Sequence, residues 1–291
     1  MNMDDVIIIG SGPAGLSAAI YTCRGGLSTT VIGLDNSALQ KAHLIENYFG
    51  FEQPLSGREL IKKGIEQARR LGAKIINSEV ISVDWDGIFT ITTADTVMQS
   101  KTVIFTTGAS RQKLRVKGLT EFEGRGVSYC AVCDAFFHKN KSVGVIGNGE
   151  FALHEVNELL NVASEVTLFT NNNELQTVFP PYVKIIKTPI SALFGGQKLE
   201  GVELADNTRI SLSGLFVAIG TAAAADLARK LGVAINGNNI IVDDKMCTNL
   251  PGLFAAGDCT GGIMQVSVAV GEGTKAALSA IDFVRKNRDV G

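Results

Sequence analysis

The chain contains no apolar run long enough to cross a bilayer, for which about 20 consecutive residues are needed. Its 291 residues include 27 basic and 29 acidic side chains, so the net charge is only −2 and no excess of one sign indicates a nucleic-acid or membrane partner. The acidic start, Met1–Asp5, runs straight into an apolar strand, whereas a secretory signal begins with basic residues. We therefore expect a cytoplasmic protein that binds neither nucleic acid nor membrane.

The sequence also has little from which a zinc site could be built. Only Cys130 and Cys133 form a CxxC pair among the five cysteines, and the three histidines do not cluster at ligand spacing. Structural zinc needs about four soft ligands, so no metal is expected. The remaining cysteines, Cys23, Cys247 and Cys259, are predicted to be structural, and Cys23 falls on the apolar face of a helix.

Two glycine-rich turns lie in similar surroundings. Each follows a short apolar run, Val6–Ile9 or Val143–Ile146, and each precedes a helical pattern and a further strand, Thr29–Ile32 or Val166–Phe169. This β–α–β order predicts backbone N–H groups at a helix N-terminus, where they can bind a pyrophosphate. The chain is also longer than a single compact core usually fills, so two nucleotide-binding domains are predicted. The first turn consists of Gly10, Ser11, Gly12, Pro13, Ala14 and Gly15.

A candidate dithiol lies between the two turns. Cys130 and Cys133 are separated by two residues, and Cys133 lies fourteen residues before Gly147 of the second turn. Two cysteines at this spacing can close a small ring reversibly, and an adjacent flavin gives the disulfide a two-electron partner. The combination indicates a flavin-linked disulfide redox enzyme.

Further motifs extend the pattern along the chain, at Glu46-Asn47-Tyr48, Thr106-Thr107-Gly108-Ala109 and Gly257-Asp258. Together with the turns and the dithiol they resemble the low-molecular-weight flavin thioredoxin reductases over essentially the whole sequence. The resemblance implies an α/β fold of two Rossmann-like nucleotide-binding domains with parallel sheets, the second inserted into the first. It implies an FAD domain at residues 1–115 and 241–291, a dithiol domain at 116–240, and a homodimer.

The same resemblance implies a set of FAD-binding residues. The Asp258 carboxylate would reach the ribityl or pyrophosphate region, although an Asp after a strand could also serve only the turn. Gly33 stands where the family has an acid for the FAD ribose, and Asp35 could substitute if its loop bends back. Beyond the first turn, the implied FAD-binding residues are Asp35, Asn47, Thr107, Gly108, Gly257, Asp258 and Gln265.

Roles for the dithiol residues also follow from the resemblance. Cys133 would face the flavin, and Cys130 would attack the disulfide of thioredoxin. Asp134 would donate and accept the proton that each exchange step moves, or would only cap the turn after the CxxC pair. His138 is a weaker candidate for this acid, and we expect it to be a solvated residue.

The resemblance fails at the nicotinamide end. Members that use NADPH carry His-Arg-Arg and a further Arg after the second strand of the inserted domain, where they clamp the 2′-phosphate. The corresponding segment here, Thr170–Gln176, has no basic residue, and Met264 stands where the family has another Arg. Losing two charge-assisted contacts would weaken NADPH binding by about two to four orders of magnitude.

The ferredoxin-dependent flavin thioredoxin reductases resemble this chain both in keeping the dithiol and in lacking the clamp. The resemblance therefore implies ferredoxin as the electron donor and thioredoxin as the acceptor. Two alternatives stay open: an NAD(P)H-dependent thioredoxin reductase with unusual cofactor contacts, and a non-enzymatic sensor in which the disulfide state controls a partner.

Overall fold

A computed structural model describes residues 3–35, 37–108, 114, 116–129, 131–219 and 224–288. The strands, in chain order, are β1 (Asp4–Ile9), β2 (Thr29–Ile32), β3 (Lys74–Ile76), β4 (Val80–Trp85), β5 (Phe89–Thr93), β6 (Val97–Phe105), β7 (Val127–Ser128), β8 (Ser142–Ile146), β9 (Glu165–Phe169), β10 (Lys184–Ile186), β11 (Ile190–Gly195), β12 (Leu199–Leu204), β13 (Arg209–Ser211), β14 (Gly214–Val217), β15 (Ile235–Asn236), β16 (Asn239–Ile240) and β17 (Leu253–Ala255). The α-helices are α1 (Pro13–Arg24), α2 (Gly57–Arg70), α3 (Leu119–Phe122), α4 (Ala131–Asp134), α5 (Glu150–Leu160), α6 (Ala224–Lys230) and α7 (Val266–Arg288), with 3-10 helices at Ala38–Lys41, Ala135–His138 and Asp258–Thr260.

The chain divides into two compact units. The first comprises residues 1–110 and 223–291, and the second is the intervening stretch, 111–222. The return to the first unit therefore precedes the expected residue 241. Helix α6 contacts β4, and the Ala224 N–H donates a hydrogen bond to Thr107 Oγ1 at 3.2 Å, so residues 224–240 belong with the first unit. The sequence of this stretch carries no motif that would have located the boundary.

The first unit is built on a seven-stranded sheet. Four parallel strands follow the order β3-β2-β1-β6, and the antiparallel strands β5 and β4 extend the sheet beyond β6. Strand β6 has two partners on its second edge, because β5 pairs with its first half and β17 pairs in parallel with Val103–Phe105. Buried residues of α1, α2 and α7 pack with side chains of β1, β2 and β6 in one apolar core. Strand β1 is buried at every position, as the apolar run Val6–Ile9 predicts for a parallel strand.

Helices α1 and α7 approach each other unusually closely. A Cβ added at Gly273 would lie 2.1 Å from the Ala14 carbonyl oxygen, so only glycine allows this distance. The Ser17 hydroxyl donates to the Val270 carbonyl at 2.9 Å across the same contact. Ala277, Ala280, Ile281 and Val284 form a buried apolar face of α7.

The second unit contains a five-stranded, wholly parallel sheet in the order β10-β9-β8-β14-β7. Helix α5 follows β8 and contacts both β8 and β9, which completes the second β–α–β unit that the sequence predicts. The antiparallel strands β11, β12 and β13 share an apolar core with this sheet, in which Leu193 and Val202 pack with Phe169 and Leu215. Both units are thus Rossmann-like, and the predicted α/β class is confirmed. No described helix is long and apolar enough to cross a membrane.

We predict that Gly273→Ala destabilises the protein by about 1–3 kcal/mol, because its methyl group overlaps the Ala14 carbonyl. Gly271→Ala, two residues earlier in the same helix, is the matched control. A Cβ at Gly271 meets nothing within 4 Å, so this change is expected to stabilise α7 by roughly 0.5–1 kcal/mol through helix propensity. Urea unfolding of both variants tests the contact, and equal stabilities would contradict it.

Candidate active site

The first glycine turn is open towards a ligand and closed towards the sheet. Gly10 has φ of 120°, and a Cβ at this position would lie 2.2 Å from the Thr106 carbonyl oxygen. A Cβ at Gly15 would lie 1.9 Å from the Gly10 carbonyl oxygen. Pro13 begins α1, whose first turn carries no acidic side chain. The N–H groups at this helix end have no intrahelical acceptor and are suited to bind a diphosphate.

The Gly257-Asp258 pair lies against the same turn. A Cβ at Gly257 would approach the Cβ of Ala14 to 3.0 Å, and Gly257 itself has φ of 78°. Its N–H donates to Glu272 Oε2 at 2.8 Å, and Thr260 Oγ1 lies 3.3 Å from the same oxygen. The half-buried Asp258 carboxylate makes no hydrogen bond or ion pair with the described residues. It is therefore able to accept hydrogen bonds from a cofactor, beyond its place in the turn.

Asn47 and Gln265 are separated by 218 positions and meet in the structure. The Asn47 Nδ2 donates to Gln265 Oε1 at 2.9 Å. Thr107 and Gly108 follow β6, and Gly108 has φ of 78°. Ala109, the last residue of that motif, lies outside the described residues. The first unit thus brings the glycine turn and the Gly257-Asp258 pair together, and joins Asn47 to Gln265.

Gly33 replaces the expected ribose acid for a steric reason. A Cβ at this position would lie 2.8 Å from the Ser11 nitrogen, so no acidic side chain can be accommodated with this backbone. Asp35 is exposed, its N–H donates to Asn77 Oδ1 at 3.0 Å, and its carboxylate accepts a hydrogen bond from Gln40. Asp35 thus has protein partners of its own, and its role towards the FAD ribose stays a prediction.

The dithiol is described only in part. Cys130 lies outside the described residues, as does the side chain of Cys133, whose backbone belongs to α4. Asp134 ends this helix, and its Oδ2 accepts a hydrogen bond from Ser128 Oγ at 2.7 Å. Asp134 makes no side-chain capping bond to the 3-10 helix that follows it, which disfavours the capping interpretation. The carboxylate is instead held by β7, beside the segment that carries the cysteines.

His138 is buried, so the expectation that it is solvated was wrong. Its Nδ1 lies 3.0 Å from Ser213 Oγ, and its ring meets the Phe216 ring edge-on at 5.5 Å. Burial lowers the pKa of this imidazole, Lys141 lowers it further, and Asp134 opposes the shift. His138 therefore packs between the dithiol segment and the sheet of the second unit.

The second glycine turn is hydrogen-bonded to residues 174–176 of the following loop. Asn148 Nδ2 donates to the Glu174 carbonyl at 2.7 Å, and the Gln176 N–H donates to the Asn148 carbonyl at 2.8 Å. Residues 174–176 are thus bound to the turn at two points. Lys187, which lies outside the segment Thr170–Gln176, places its Nζ 3.9 Å from Glu174 Oε2 on an exposed surface.

The sequence did not reveal two acidic residues that organise these sites. Glu272 anchors the Gly257 turn, and its position in α7 gives no sign of that partner. Glu155 is 1% exposed and accepts a hydrogen bond from the Ala131 N–H at 2.6 Å. A signal for Glu155 does exist, because it interrupts an otherwise apolar buried stripe of α5. Among the described residues, no group of three or more His, Cys, Asp or Glu side chains could hold a metal ion.

The fold and the first glycine turn define a dinucleotide-binding protein. Residues 4–273 match the family model of pyridine nucleotide-disulphide oxidoreductases. A thioredoxin reductase of Aquifex aeolicus is 35% identical, over 98% of this chain and 95% of its own length. The chain belongs to the thioredoxin reductases of this family, and its cofactor is FAD.

Two solved structures resemble the chain over nearly its full length. One is the atypical thioredoxin reductase TRi from Desulfovibrio vulgaris Hildenborough, with a TM-score of 0.92 and 39% identity over 97% of this chain and 98% of that one. Another is a ferredoxin-flavin thioredoxin reductase from Clostridium acetobutylicum, with a TM-score of 0.75 and 34% identity over 98% and 99% of the two chains. The similarity therefore extends through both nucleotide-type units.

We predict that Glu272→Ala lowers FAD affinity about tenfold, because a hydrogen bond to a charged acceptor contributes roughly 1.5–3 kcal/mol and this one fixes the Gly257 turn. Glu272→Gln keeps an acceptor oxygen and should lose less. Lys275→Ala, exposed on the same helix, is the control. FAD titration of each apoprotein measures the effect. Unchanged affinity in Glu272→Ala would assign this carboxylate to fold stability alone.

Proposed function

We propose that the protein reduces the disulfide of thioredoxin through Cys130 and Cys133, and that it takes its electrons from ferredoxin rather than from a nicotinamide. The observation that carries the choice of donor is the second glycine turn, which residues 174–176 cover. The similarity to a ferredoxin-flavin thioredoxin reductase of C. acetobutylicum supports the same choice.

The loop at residues 174–176 disfavours dinucleotide binding at the second glycine turn, and the nearby positive charge does little to offset this. The hydrogen bonds from Asn148 Nδ2 and from the Gln176 N–H would have to break or shift before a pyrophosphate could approach, at about 0.5–1.5 kcal/mol each. The Lys187 ammonium is exposed and paired with Glu174, and surface ion pairs of this kind contribute little to binding or stability. The missing arginines thus disfavour NADPH by the larger amount, whereas the hydrogen bonds to the turn disfavour NADPH and NADH alike.

The proposed reaction balances in two steps. Two reduced ferredoxins each deliver one electron, two protons enter from solvent, and the Cys130–Cys133 disulfide becomes a dithiol. FAD, held by the first glycine turn and by Gly257 and Asp258, would supply the electron pair that opens this disulfide. A Cys130 thiolate then attacks the thioredoxin disulfide, the mixed disulfide is resolved by Cys133, and thioredoxin leaves with two thiols.

Asp134 is the proposed proton donor and acceptor in these exchanges. Its carboxylate lies in the turn after the cysteines and is oriented by the Ser128 hydroxyl at 2.7 Å. One thiol must gain or lose a proton at each exchange, and a fixed carboxylate can carry it. The proposed FAD-binding set is unchanged from that implied by the sequence, with Glu272 positioning Gly257 and Asp258.

We further propose a cytoplasmic homodimer, since a cycling dithiol suits a reducing compartment. An apolar groove of about 670 Å³ runs between α1, α2 and the start of α7. Tyr48 and Phe51 line it, and the neighbouring Phe49 is 92% exposed, which supports a second copy as the occupant. A single species of monomer mass in sedimentation equilibrium would contradict the dimer.

We predict that Asp134→Asn slows thioredoxin reduction by the pre-reduced protein about 100-fold near neutral pH, because the amide cannot transfer a proton. Ser128→Ala should slow it less, since the carboxylate remains but loses its oriented donor. Cys133→Ser should abolish the reaction while FAD stays bound. Single-turnover assays across pH test these changes, and an unchanged pH profile in Asp134→Asn would remove the acid–base role.

We predict that reduced ferredoxin lowers the flavin absorbance within the turnover time, whereas NADPH and NADH at millimolar concentration do not. Anaerobic rapid mixing with each donor makes the measurement, and Cys133→Ser is the control in which ferredoxin still reduces the flavin but thioredoxin stays oxidised. Rapid reduction by NADPH and none by ferredoxin would establish a nicotinamide-dependent enzyme. Reduction by a donor without any thioredoxin turnover would instead favour the sensor.

A further inference from the structure

Glu155 lies in the core of the second unit, on the face of α5 that is otherwise apolar. Its buried neighbours on this face are Phe151, Ala152, Val156 and Leu159. An ionisable side chain that is 1% exposed is costly to bury, and any apolar residue of similar length would fill the space at lower cost. The presence of an acid here suggests a task that an apolar side chain cannot perform.

A hydrogen bond between Glu155 and the dithiol segment points to such a task. Its Oε2 accepts from the Ala131 N–H at 2.6 Å, in a fully buried contact. The nitrogen belongs to the peptide bond between Cys130 and Ala131, so the acceptor holds the backbone between the two cysteines. Ala131 is also the first residue of α4, which carries Cys133 and Asp134. One buried carboxylate is thereby joined to the segment that must change redox state.

A disulfide forms only when the two Cα atoms lie within roughly 4.4–6.8 Å. Holding the Cys130–Ala131 peptide against a core helix limits how far the reduced segment can relax, and this raises the effective concentration of each thiol at the other. A methionine or leucine at position 155 would fill the core without holding the peptide. It would also leave the Ala131 N–H without this acceptor in a buried site.

We propose that Glu155 is a positioning residue of the redox dithiol, which through the Ala131 N–H keeps the reduced segment close to its disulfide geometry. The inference rests on the proposed use of Cys130 and Cys133 as a redox pair. It assigns no contact with thioredoxin or cofactor to Glu155, whose proposed effect is exerted through the Ala131 backbone.

The test measures ring closure directly. FAD-loaded protein is equilibrated anaerobically with reduced and oxidised dithiothreitol, so that the protein dithiol and the cyclic disulfide of dithiothreitol exchange to give the protein disulfide and the dithiol form of the reagent. Acid quenching, thiol alkylation and mass spectrometry then count the Cys130–Cys133 pairs in each state. Neither thioredoxin nor an electron donor is needed.

We expect Glu155→Met to lower the equilibrium constant for ring closure at least tenfold, which corresponds to a potential about 30 mV less negative. Glu155→Gln keeps an acceptor for the Ala131 N–H and should stay within about threefold of the unsubstituted protein. Glu158→Gln, on the same helix, is the control for loss of an acid from α5. If Glu155→Met gives no FAD-loaded protein, Glu155→Ala removes the acceptor without adding bulk and replaces it.

The outcomes separate the inference from the function on which it rests. An unchanged constant in the apolar variant, even with lowered thermal stability, makes Glu155 a purely structural residue and overturns the proposal. Equal losses in Glu155→Met and Glu155→Gln also overturn it, because they would assign the effect to charge rather than to the held peptide. If the unsubstituted dithiol closes no ring at all, the proposed redox function itself fails.

Discussion

The close approach of α7 to Ala14 determines how the first unit is assembled. Gly273 and Gly257 both lack the Cβ that would collide with or crowd this residue, so a segment from the end of the chain can lie directly on the first glycine turn. Gly257 lies against Ala14 of the first glycine turn because of this contact. Steric contact with Ala14 therefore limits where the Gly257 turn can lie. Glu272 then holds this turn by accepting hydrogen bonds from the Gly257 N–H and the Thr260 hydroxyl.

The two glycine turns have similar local sequences but differ in the segments that contact them. In both, glycine is required by a backbone oxygen beneath the turn, from Thr106 in the first unit and from Ala218 in the second. Above the second turn, Asn148 bonds to the following loop through both its side chain and its carbonyl. The same Rossmann-like scaffold therefore carries two different loop arrangements beside its two glycine turns.

Local patterns predicted the parts of the fold that depend on local forces. Strand β2 is Thr29–Ile32 as expected, and α5 ends at Leu160. Such elements can be predicted because they depend on the spacing of apolar residues and on glycines close by in the sequence. Polar partners chosen across the fold were not predictable. Glu272 meets Gly257 only after α7 docks, and Ser11 excludes a side chain at Gly33 only after β2 lies beside the turn.

The prediction that His138 is solvated failed for a related reason. A histidine in a short polar stretch is usually exposed, but here the ring fills the space that Gly214 leaves on β14, where a Cβ would lie 2.5 Å from the imidazole. The vacancy is created by a residue 76 positions away, and no local pattern reports it. The glycine turns were easier to locate from the sequence, because backbone shape of this kind is carried by glycines in short runs.

Strand β17 completes the first sheet with only three residues, and it does so against the second half of β6. During synthesis, the whole of residues 111–222 leaves the ribosome before β17 and α7 exist, so the inserted unit can finish folding while the outer one waits. Until then, the edge of Val103, Ile104 and Phe105, which is fully buried in the finished protein, has unpaired backbone groups and apolar side chains. A nascent or C-terminally truncated chain therefore presents a strand edge that can recruit a neighbouring chain into aggregation.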